Sequence, residues 1–320
     1  MNTATTDTTS QPTRCAVNPE PPARRAGIAL VGSMLVALGT GCQTAPAATP
    51  HADPGSTPIT DNGSKENERP IMKITESGSG RNILILHGGG GPATMTLLGA
   101  HLAEKAHVIT PTYPGWEGTP RPESLNTVAG LADEIVRYLD EHDVKDVLVI
   151  GSSIGGWVAA EVALRDKAHR ISGLVVINGT GVNVPSQPIT DITGFTPQQL
   201  AKVAFHDPSK FGAGAPPPTP ERIAVMRANA AALAVFAGKY SYDPTLLDRL
   251  KGVHVPTLVL WGESDHVVSK EYGRAFAAAI PNARFETVAE AGHLPWLEQP
   301  AETFRVLDPF VAAPAAPAQR

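Results

Sequence analysis

Val147-Leu148-Val149-Ile150-Gly151-Ser152-Ser153-Ile154-Gly155-Gly156 is the stretch from which the rest of the 320-residue chain can be read. Apolar strand formers run into a Gly-x-Ser-x-Gly pattern centred on Ser153 rather than Ser152, and a helical pattern over residues 154–166 opens directly behind it. A serine on a sharp strand-to-helix turn holds a strained backbone. The residues two before and two after it approach so closely that only a very small side chain fits, which is the demand Gly151 and Gly155 meet. The hydroxyl then projects above the sheet, and the N–H of Ile154, at the helix N-terminus, points to where negative charge would collect on a substrate oxygen. As a bare pattern, two glycines around a serine arise too often by chance to decide anything; the strand before and the helix after give this one weight.

Working outward, short apolar runs alternate with longer amphipathic ones, the pattern of a parallel sheet with crossover helices. Strands are expected at residues 107–110, 146–150, 173–177, 257–260 and 284–288, and helices at 95–105, 124–142, 154–166, 269–279 and 300–311. Residues 71–74 and 82–86 flank Ser77-Gly78-Ser79-Gly80 and read as a hairpin. The alternation breaks once, between Gly179 and Pro256. There Thr196-Pro197, Thr219-Pro220 and Asp243-Pro244 each read as a helix cap followed by proline at the first helical position, and residues 212–220 form a Gly/Pro-rich connector. An insertion of roughly 75 residues in a compact α/β unit is more often functional than idle, and it reads as a lid, residues 180–255, over the active site.

Three further motifs follow expected strand ends. His87-Gly88-Gly89-Gly90-Gly91 supplies backbone amides with no side chains in the way, and an enzyme that transfers acyl groups needs a second N–H beside that of Ile154 to hold an oxyanion; Gly89 is the first choice and Gly90 the second. A phosphate-binding loop would want Gly-Lys-Ser/Thr after the glycines, and Pro92-Ala93-Thr94 has no lysine. Asp265, in Trp261-Gly262-Glu263-Ser264-Asp265, and His293, in Gly292-His293-Leu294-Pro295, complete the chemistry. A serine hydroxyl is a poor nucleophile until a base takes its proton, and the imidazole needs a carboxylate to fix its tautomer. Glu263 is the nearest rival acid. Pro114-Gly115-Trp116-Glu117-Gly118 also follows a strand end and is a candidate pocket wall, while Phe205, Phe211, Met226, Phe236 and Trp296 are candidates for an apolar acyl or alcohol pocket.

HGGGG, GSSIGG, WGESD and AGHLPW together resemble the α/β-hydrolase superfamily, over about residues 71–311. The resemblance implies a mostly parallel twisted sheet flanked by helices, with a helical cap inserted late in the sheet. It gives Ser153, Asp265 and His293 the roles of nucleophile, acid and general base, with an oxyanion hole from Gly89 and Ile154. Superfamily members that open epoxides or carbon–halogen bonds generally carry aspartate at the nucleophile position, and the serine here argues against both. Some members take their acid after the preceding strand, where Asn178 offers no carboxylate. The implied reaction is hydrolysis of a small-molecule carboxylic ester or lactone through an acyl-enzyme, with no cofactor and no metal. Three rivals stand beside it: a carbon–carbon bond hydrolase of ring-fission diketones, an amidase, peptidase or cofactor-free haloperoxidase, and a ligand-binding protein that keeps the fold without catalysis.

Composition bounds the alternatives. With 26 Lys and Arg against 31 Asp and Glu and no long basic run, nucleic acid is not an expected partner. Cys15 and Cys42 are the only cysteines, and no Cys/His cluster has ligand spacing, so neither a disulfide framework nor a structural zinc site is expected. Arg24 and Arg25 precede an apolar stretch, residues 26–41, too short for a spanning helix but suited to an export signal. Cys42 follows Gly39-Thr40-Gly41 and resembles the lipidated cysteine of a bacterial lipoprotein, with Gly39 where an aliphatic residue is usual; Ala45-Pro46-Ala47 offers a competing cleavage site. The expectation is an exported protein, periplasmic or anchored to the membrane through Cys42. Residues 42–69 then form a linker too poor in large apolar side chains to order itself, and residues 312–320 a similar tail.

Overall fold

The computed structural model describes Met1, residues 72–211 and residues 218–313. The expected export signal of residues 1–41, Cys15, Cys42, the expected linker, most of the Gly/Pro connector and the tail beyond residue 313 lie outside the described residues. In chain order the elements are β1 (Lys73–Gly78), β2 (Asn82–Leu86), α1 (Thr96–Ala103), β3 (His107–Thr112), α2 (Val128–Glu141), β4 (Val147–Ser152), α3 (Ile154–Arg165) and β5 (Ile171–Ile177). After the excursion described below come β8 (Thr257–Gly262), α7 (Lys270–Ala278), β9 (Ala283–Val288), α8 (Pro295–Glu298) and α9 (Pro300–Ala312). The fold is α/β: a seven-stranded sheet in the order β1-β3-β2-β4-β5-β8-β9, parallel except for β1.

The strands are almost continuously apolar because both faces of the sheet are covered, and the period-two alternation shows in which core each side chain joins. Leu84, Leu86, Val147, Val149, Leu174, Val176, Val259 and Trp261 pack with Leu131 and Ile135 of α2, Val158 and Val162 of α3 and Phe276 of α7. Their neighbours Ile83, Ile85, Leu148, Ile150, Val175, Ile177, Leu258 and Leu260 pack on the other face with Leu98 and Leu102 of α1 and Val306 and Leu307 of α9. Thr127 caps α2 by accepting from the Gly130 N–H at 3.0 Å, so that helix starts later than the expected residue 124.

Two expectations are corrected. Residues 71–74 and 82–86 do not form a hairpin: β1 pairs antiparallel with β3, from Lys73 opposite Thr112 to Gly78 opposite His107, and β3 separates it from β2. The β2-α1-β3 crossover lays β3 beside β2, so the one edge left to β1 is the far side of β3. Nor does Asp243-Pro244 start a helix. Asp243 closes a two-residue strand, its Oδ1 accepts from the Thr245 N–H at 2.7 Å, and the short helix α6 (Leu246–Arg249) begins after Thr245.

Between β5 and β8 the chain leaves the sheet. This segment, called the cap below, holds β6 (Gly181–Val182), α4 (Pro197–Ala204), α5 (Pro220–Ala237), β7 (Tyr242–Asp243) and α6, with β6 and β7 paired parallel. Thr196 starts α4 with a full capping box to Gln199, and Thr219 caps α5 through the Arg222 N–H. At the base of the cap Arg249 pairs with Glu161 of α3, which is buried, and with Asp243, tying the segment back to the sheet domain.

Candidate active site

Ser153 sits between β4 and α3 at φ 57°, ψ −126°, a conformation that a non-glycine residue adopts only when its surroundings enforce it. The enforcement is steric. A Cβ on Gly151 would lie 2.1 Å from the Gly155 carbonyl oxygen, and one on Gly155 would lie 2.2 Å from that of Leu86. Hydrogen bonds pin the turn: the Ser153 N–H donates to Ile177 O at 3.1 Å, and its carbonyl accepts from the Gly156 and Thr180 N–H groups at 2.9 and 3.0 Å. The Ser153 side chain faces the glycine loop, since a Cβ on Gly88 would meet Ser153 Cβ at 3.1 Å and Oγ at 3.7 Å.

Asp265 and His293 meet beyond the ends of β8 and β9. His293 Nδ1 lies 2.8 Å from Asp265 Oδ2. An ionised carboxylate only accepts, so Nδ1 carries the proton and Nε2 keeps its lone pair. The carboxylate is fixed on its other sides: Oδ1 accepts from the Val267 and Val268 N–H groups at 2.8 and 3.2 Å, and Oδ2 also accepts from Asn178 Nδ2 at 2.6 Å. Asn178, itself at φ 47°, is oriented in turn because its Oδ1 accepts from the Gly262 N–H at 3.2 Å. By sequence alone Asn178 is a position that offers no carboxylate. Its place at the carboxyl end of β5, beside Asp265, makes it the amide that holds the acid. Glu263, the rival, is turned elsewhere and accepts from the Thr287 hydroxyl at 3.0 Å.

The glycine loop is held by its carbonyls. The C=O of one residue and the N–H of the next share a planar peptide and point in opposite directions, so anchoring one aims the other. Gly88 O accepts from His87 Nδ1 at 2.8 Å and from the Gly91 N–H at 3.1 Å, which sets the direction of the Gly89 N–H. Gly89 O accepts from Trp116 Nε1 at 3.0 Å, which sets the Gly90 N–H. Among the described residues no hydrogen bond occupies either of those amides. His87 is fully buried and stacked on Tyr113 with ring centroids 3.8 Å apart, and burial lowers its pKa to about 4 despite the bond to Gly88. Neutral, it donates through Nδ1 and accepts from the Tyr113 N–H through Nε2 at 3.4 Å. Trp116, read from sequence as a pocket wall, thus acts on the loop through its indole N–H.

The cap closes on this site in two places. Its α4 end meets the His293 loop: the His293 N–H donates to Ala204 O at 2.7 Å, and the Glu298 carboxylate accepts from the N–H groups of His206 at 2.8 Å, Asp207 at 3.3 Å and Gly292 at 2.5 Å. Burial lifts the Glu298 carboxyl above its ordinary pKa. On the other side α5 lies over the glycine loop, with Leu233 against Gly89. Of the apolar pocket candidates, Phe205 and Phe211 stack on each other at 4.2 Å and Phe236 packs on Trp116 at 5.3 Å. Met226 is exposed on α5, and Trp296 belongs to the core under the sheet, its Nε1 bonded to Thr94 O at 3.1 Å. A cavity of about 400 Å³ lined by Arg81, His101, Asp146 and Asp308 lies at the amino ends of the strands, away from Ser153. No His, Cys, Asp and Glu cluster among the described residues could hold a metal ion.

A parallel sheet with its chemistry-bearing loops at the strand carboxyl ends and a helical cap above defines a class, and residues 83–306 match the Alpha/beta hydrolase family; the chain belongs to that family and is an α/β-hydrolase enzyme. Among similar proteins, a 2-hydroxy-6-oxononadienedioate/2-hydroxy-6-oxononatrienedioate hydrolase of Cupriavidus pinatubonensis is 26% identical, over 69% of this chain and 84% of its own. A pimeloyl-[acyl-carrier protein] methyl ester esterase of Aromatoleum aromaticum is 27% identical, over 72% of this chain and 98% of its own. In fold, a thermophilic esterase from Thermogutta terrifontis superposes with a TM-score of 0.62 at 22% identity, covering 75% of this chain and 92% of that one.

Proposed function

We propose that the protein is a serine hydrolase that cleaves a carboxylic ester or lactone through an acyl-enzyme. The observation that carries this reading is the 2.8 Å pairing of His293 Nδ1 with a fully occupied Asp265 carboxylate, beyond the carboxyl ends of the strands, the side on which Ser153 holds its strained turn. Ser153 Oγ attacks the substrate carbonyl carbon as His293 Nε2 takes its proton, and Asp265 stabilises the resulting imidazolium. The N–H groups of Ile154 and Gly89, with Gly90 as the alternative second donor, receive the oxyanion. On collapse His293 gives the proton to the leaving alkoxide, and water attacks the acyl-enzyme by the same steps in reverse.

Labelling the purified protein with a fluorophosphonate tests the nucleophile. Adduct is expected on Ser153 and absent from Ser153→Ala; a Ser153→Ala variant that keeps full esterase activity would sink the assignment. A second reading, hydrolysis of a carbon–carbon bond in a ring-fission diketone, is favoured by the likeness to the Cupriavidus hydrolase and by the glycine run leading into Pro92. The two part on a panel of p-nitrophenyl esters, lactones and a vinylogous diketone: turnover of the diketone alone selects the second. Export belongs to the same proposal, with residues 1–41 as signal and either Cys42 or the Ala45-Pro46-Ala47 site setting the new N-terminus. Intact mass of the protein from a bacterial host separates a lipidated Cys42 from a plain cut, and full-length protein in the cytosolic fraction refutes both.

A further inference from the structure

The helix α5 carries an apolar sequence with one buried polar side chain in its interior, Asn229, only 3% exposed. Asparagine is a mediocre helix former, and a buried amide is tolerated only where its hydrogen bonds are met. Here all are met, across 112 and 139 residues of chain. Asn229 Oδ1 accepts from the Glu117 N–H at 2.8 Å, while Nδ2 donates to Gly90 O at 3.1 Å and to Glu117 Oε1 at 3.0 Å. The backbone around it is shaped to admit the amide. Glu117 is held at φ 53°, and Gly91 sits at φ 87° where a Cβ would come 2.6 Å from Glu117 Oε1 and 2.7 Å from Asn229 Nδ2.

We propose that Asn229 is a positioning residue that makes the oxyanion-binding geometry of the glycine loop conditional on α5 being seated. The proposal deepens the serine-hydrolase reading and rests on it. Gly90 O shares its peptide with the Gly91 N–H, the group that closes the turn onto Gly88 O. Gly88 O in turn shares its peptide with the Gly89 N–H. Fixing Gly90 O from the cap therefore sets, two peptides away, the direction of the donor aimed at the oxyanion. One helical turn on, Leu233 rests against Gly89, so the same helix positions the loop and covers it. A cap lifted at α5 would leave Gly90 O unpaired and the Gly91 N–H free to turn away from Gly88 O, so that the Gly88–Gly89 peptide keeps only its bond from His87 and the Gly89 N–H is less firmly aimed. The enzyme would then bind ester but fail to stabilise its tetrahedral intermediate.

The test uses the full chain and two variants, Asn229→Asp and Asn229→Asp/Glu117→Gln. Aspartate keeps the shape and the acceptor for the Glu117 N–H but turns the donor toward Gly90 O into an acceptor. Glutamine at position 117 restores a donor to the aspartate while leaving Gly90 O unpaired. For p-nitrophenyl butyrate the single variant is expected to lose about 10- to 100-fold in kcat, somewhat less than removal of an oxyanion donor outright, with KM within about twofold. Affinity for phenylboronic acid, whose serine adduct carries a tetrahedral oxygen, falls by the same factor. The double variant is expected to regain the thermal midpoint but neither kcat nor boronate affinity. Wild-type kcat in the single variant, or recovery of kcat together with the midpoint in the double, overturns the proposal and leaves Asn229 as fold stabilisation. Fluorophosphonate adduct on wild-type Ser153 accompanying such a result keeps the serine-hydrolase reading; absence of adduct from folded wild type overturns both.

Discussion

The turn after β4 and the loop after β2 do similar work by opposite means. At Ser153 the geometry comes from contacts within a few residues and from adjacent strands: Gly151 against Gly155, Gly155 against Leu86, Ser153 against Ile177. The Asp265 carboxylate is held partly as locally, by the amides of Val267 and Val268, with Asn178 and His293 itself as its distant donors. The four-glycine loop has a local turn, Gly91 N–H to Gly88 O, but no steric template of that kind. It is aimed by side chains from His87, from Trp116 on the next strand-end turn, and from Asn229 in the cap. Local sterics build a site that tolerates change elsewhere in the molecule, whereas a loop of glycines borrows its order and can lose it at a distance.

The largest effect is expected at the locally built half. In Asp265→Asn the amide oxygen can still accept from Val267 and Val268, but the amide nitrogen then faces His293 Nδ1 and Asn178 Nδ2. The imidazole answers by moving its proton to Nε2, so that Nδ1 can accept, and loses the lone pair that would take the Ser153 proton. A fall of about 10⁴ in kcat with KM little changed is the expected result, the size of the loss when a triad acid elsewhere is made an amide. Steady-state kinetics on a p-nitrophenyl ester measures it, and a loss under about tenfold would mean that Asp265 does not orient the base.

The same contrast explains what could be read from the chain. Strands buried on both faces announce themselves as apolar runs, and Gly151 and Gly155 carry their steric reason in the sequence. Pairing partners do not. Residues 71–74 and 82–86 look like a hairpin locally, and only the crossover through α1, which lays β3 beside β2, places β3 between them. Asp243-Pro244 likewise matches a helix cap, yet its carboxylate serves Thr245 and the Arg249 pair instead. Asn178, Asn229 and Glu298 act across tens of residues or bind only backbone, so nothing in their own neighbourhoods marks them. A lone asparagine inside the apolar run of α5 was the one available signal, because a polar group there must find partners or stay out of the core.

Acid should strike the glycine loop before the turn at Ser153. Burial holds His87 at a pKa of about 4, against 6.5 for a histidine in the unfolded chain. Between those values the unfolded chain binds the proton and the folded one does not, so stability falls as pH drops through that window and is fully present above it. The histidine's share of the loss is on the order of 3 kcal/mol at pH 4 and below. Urea midpoints from pH 7 to pH 4 for wild type and His87→Gln should diverge in slope, the variant being the flatter. Parallel slopes would show that His87 titrates normally in the folded protein.

The smallest effect, and the sharpest on the comparison, is expected from Trp116→Phe. Phenylalanine keeps an aromatic ring against Tyr113 and Phe236 but deletes the N–H that Gly89 O accepts. The Gly89–Gly90 peptide then loses its anchor while Gly88 O keeps both of its own, so the Gly90 N–H is freed and the Gly89 N–H is not. If Gly89 is the donor that meets the oxyanion, kcat should fall by less than about threefold. If Gly90 is the donor, the fall should reach about tenfold or more, since one misdirected oxyanion contact is worth up to about 10²-fold. Because Trp116 is fully buried, wild type and variant are compared at a temperature well below their thermal midpoints, with Ser153 labelling to count competent sites. The magnitude thus assigns the second donor between two adjacent amides, one with the carbonyl behind it held by neighbouring His87 and Gly91 and the other by distant Trp116.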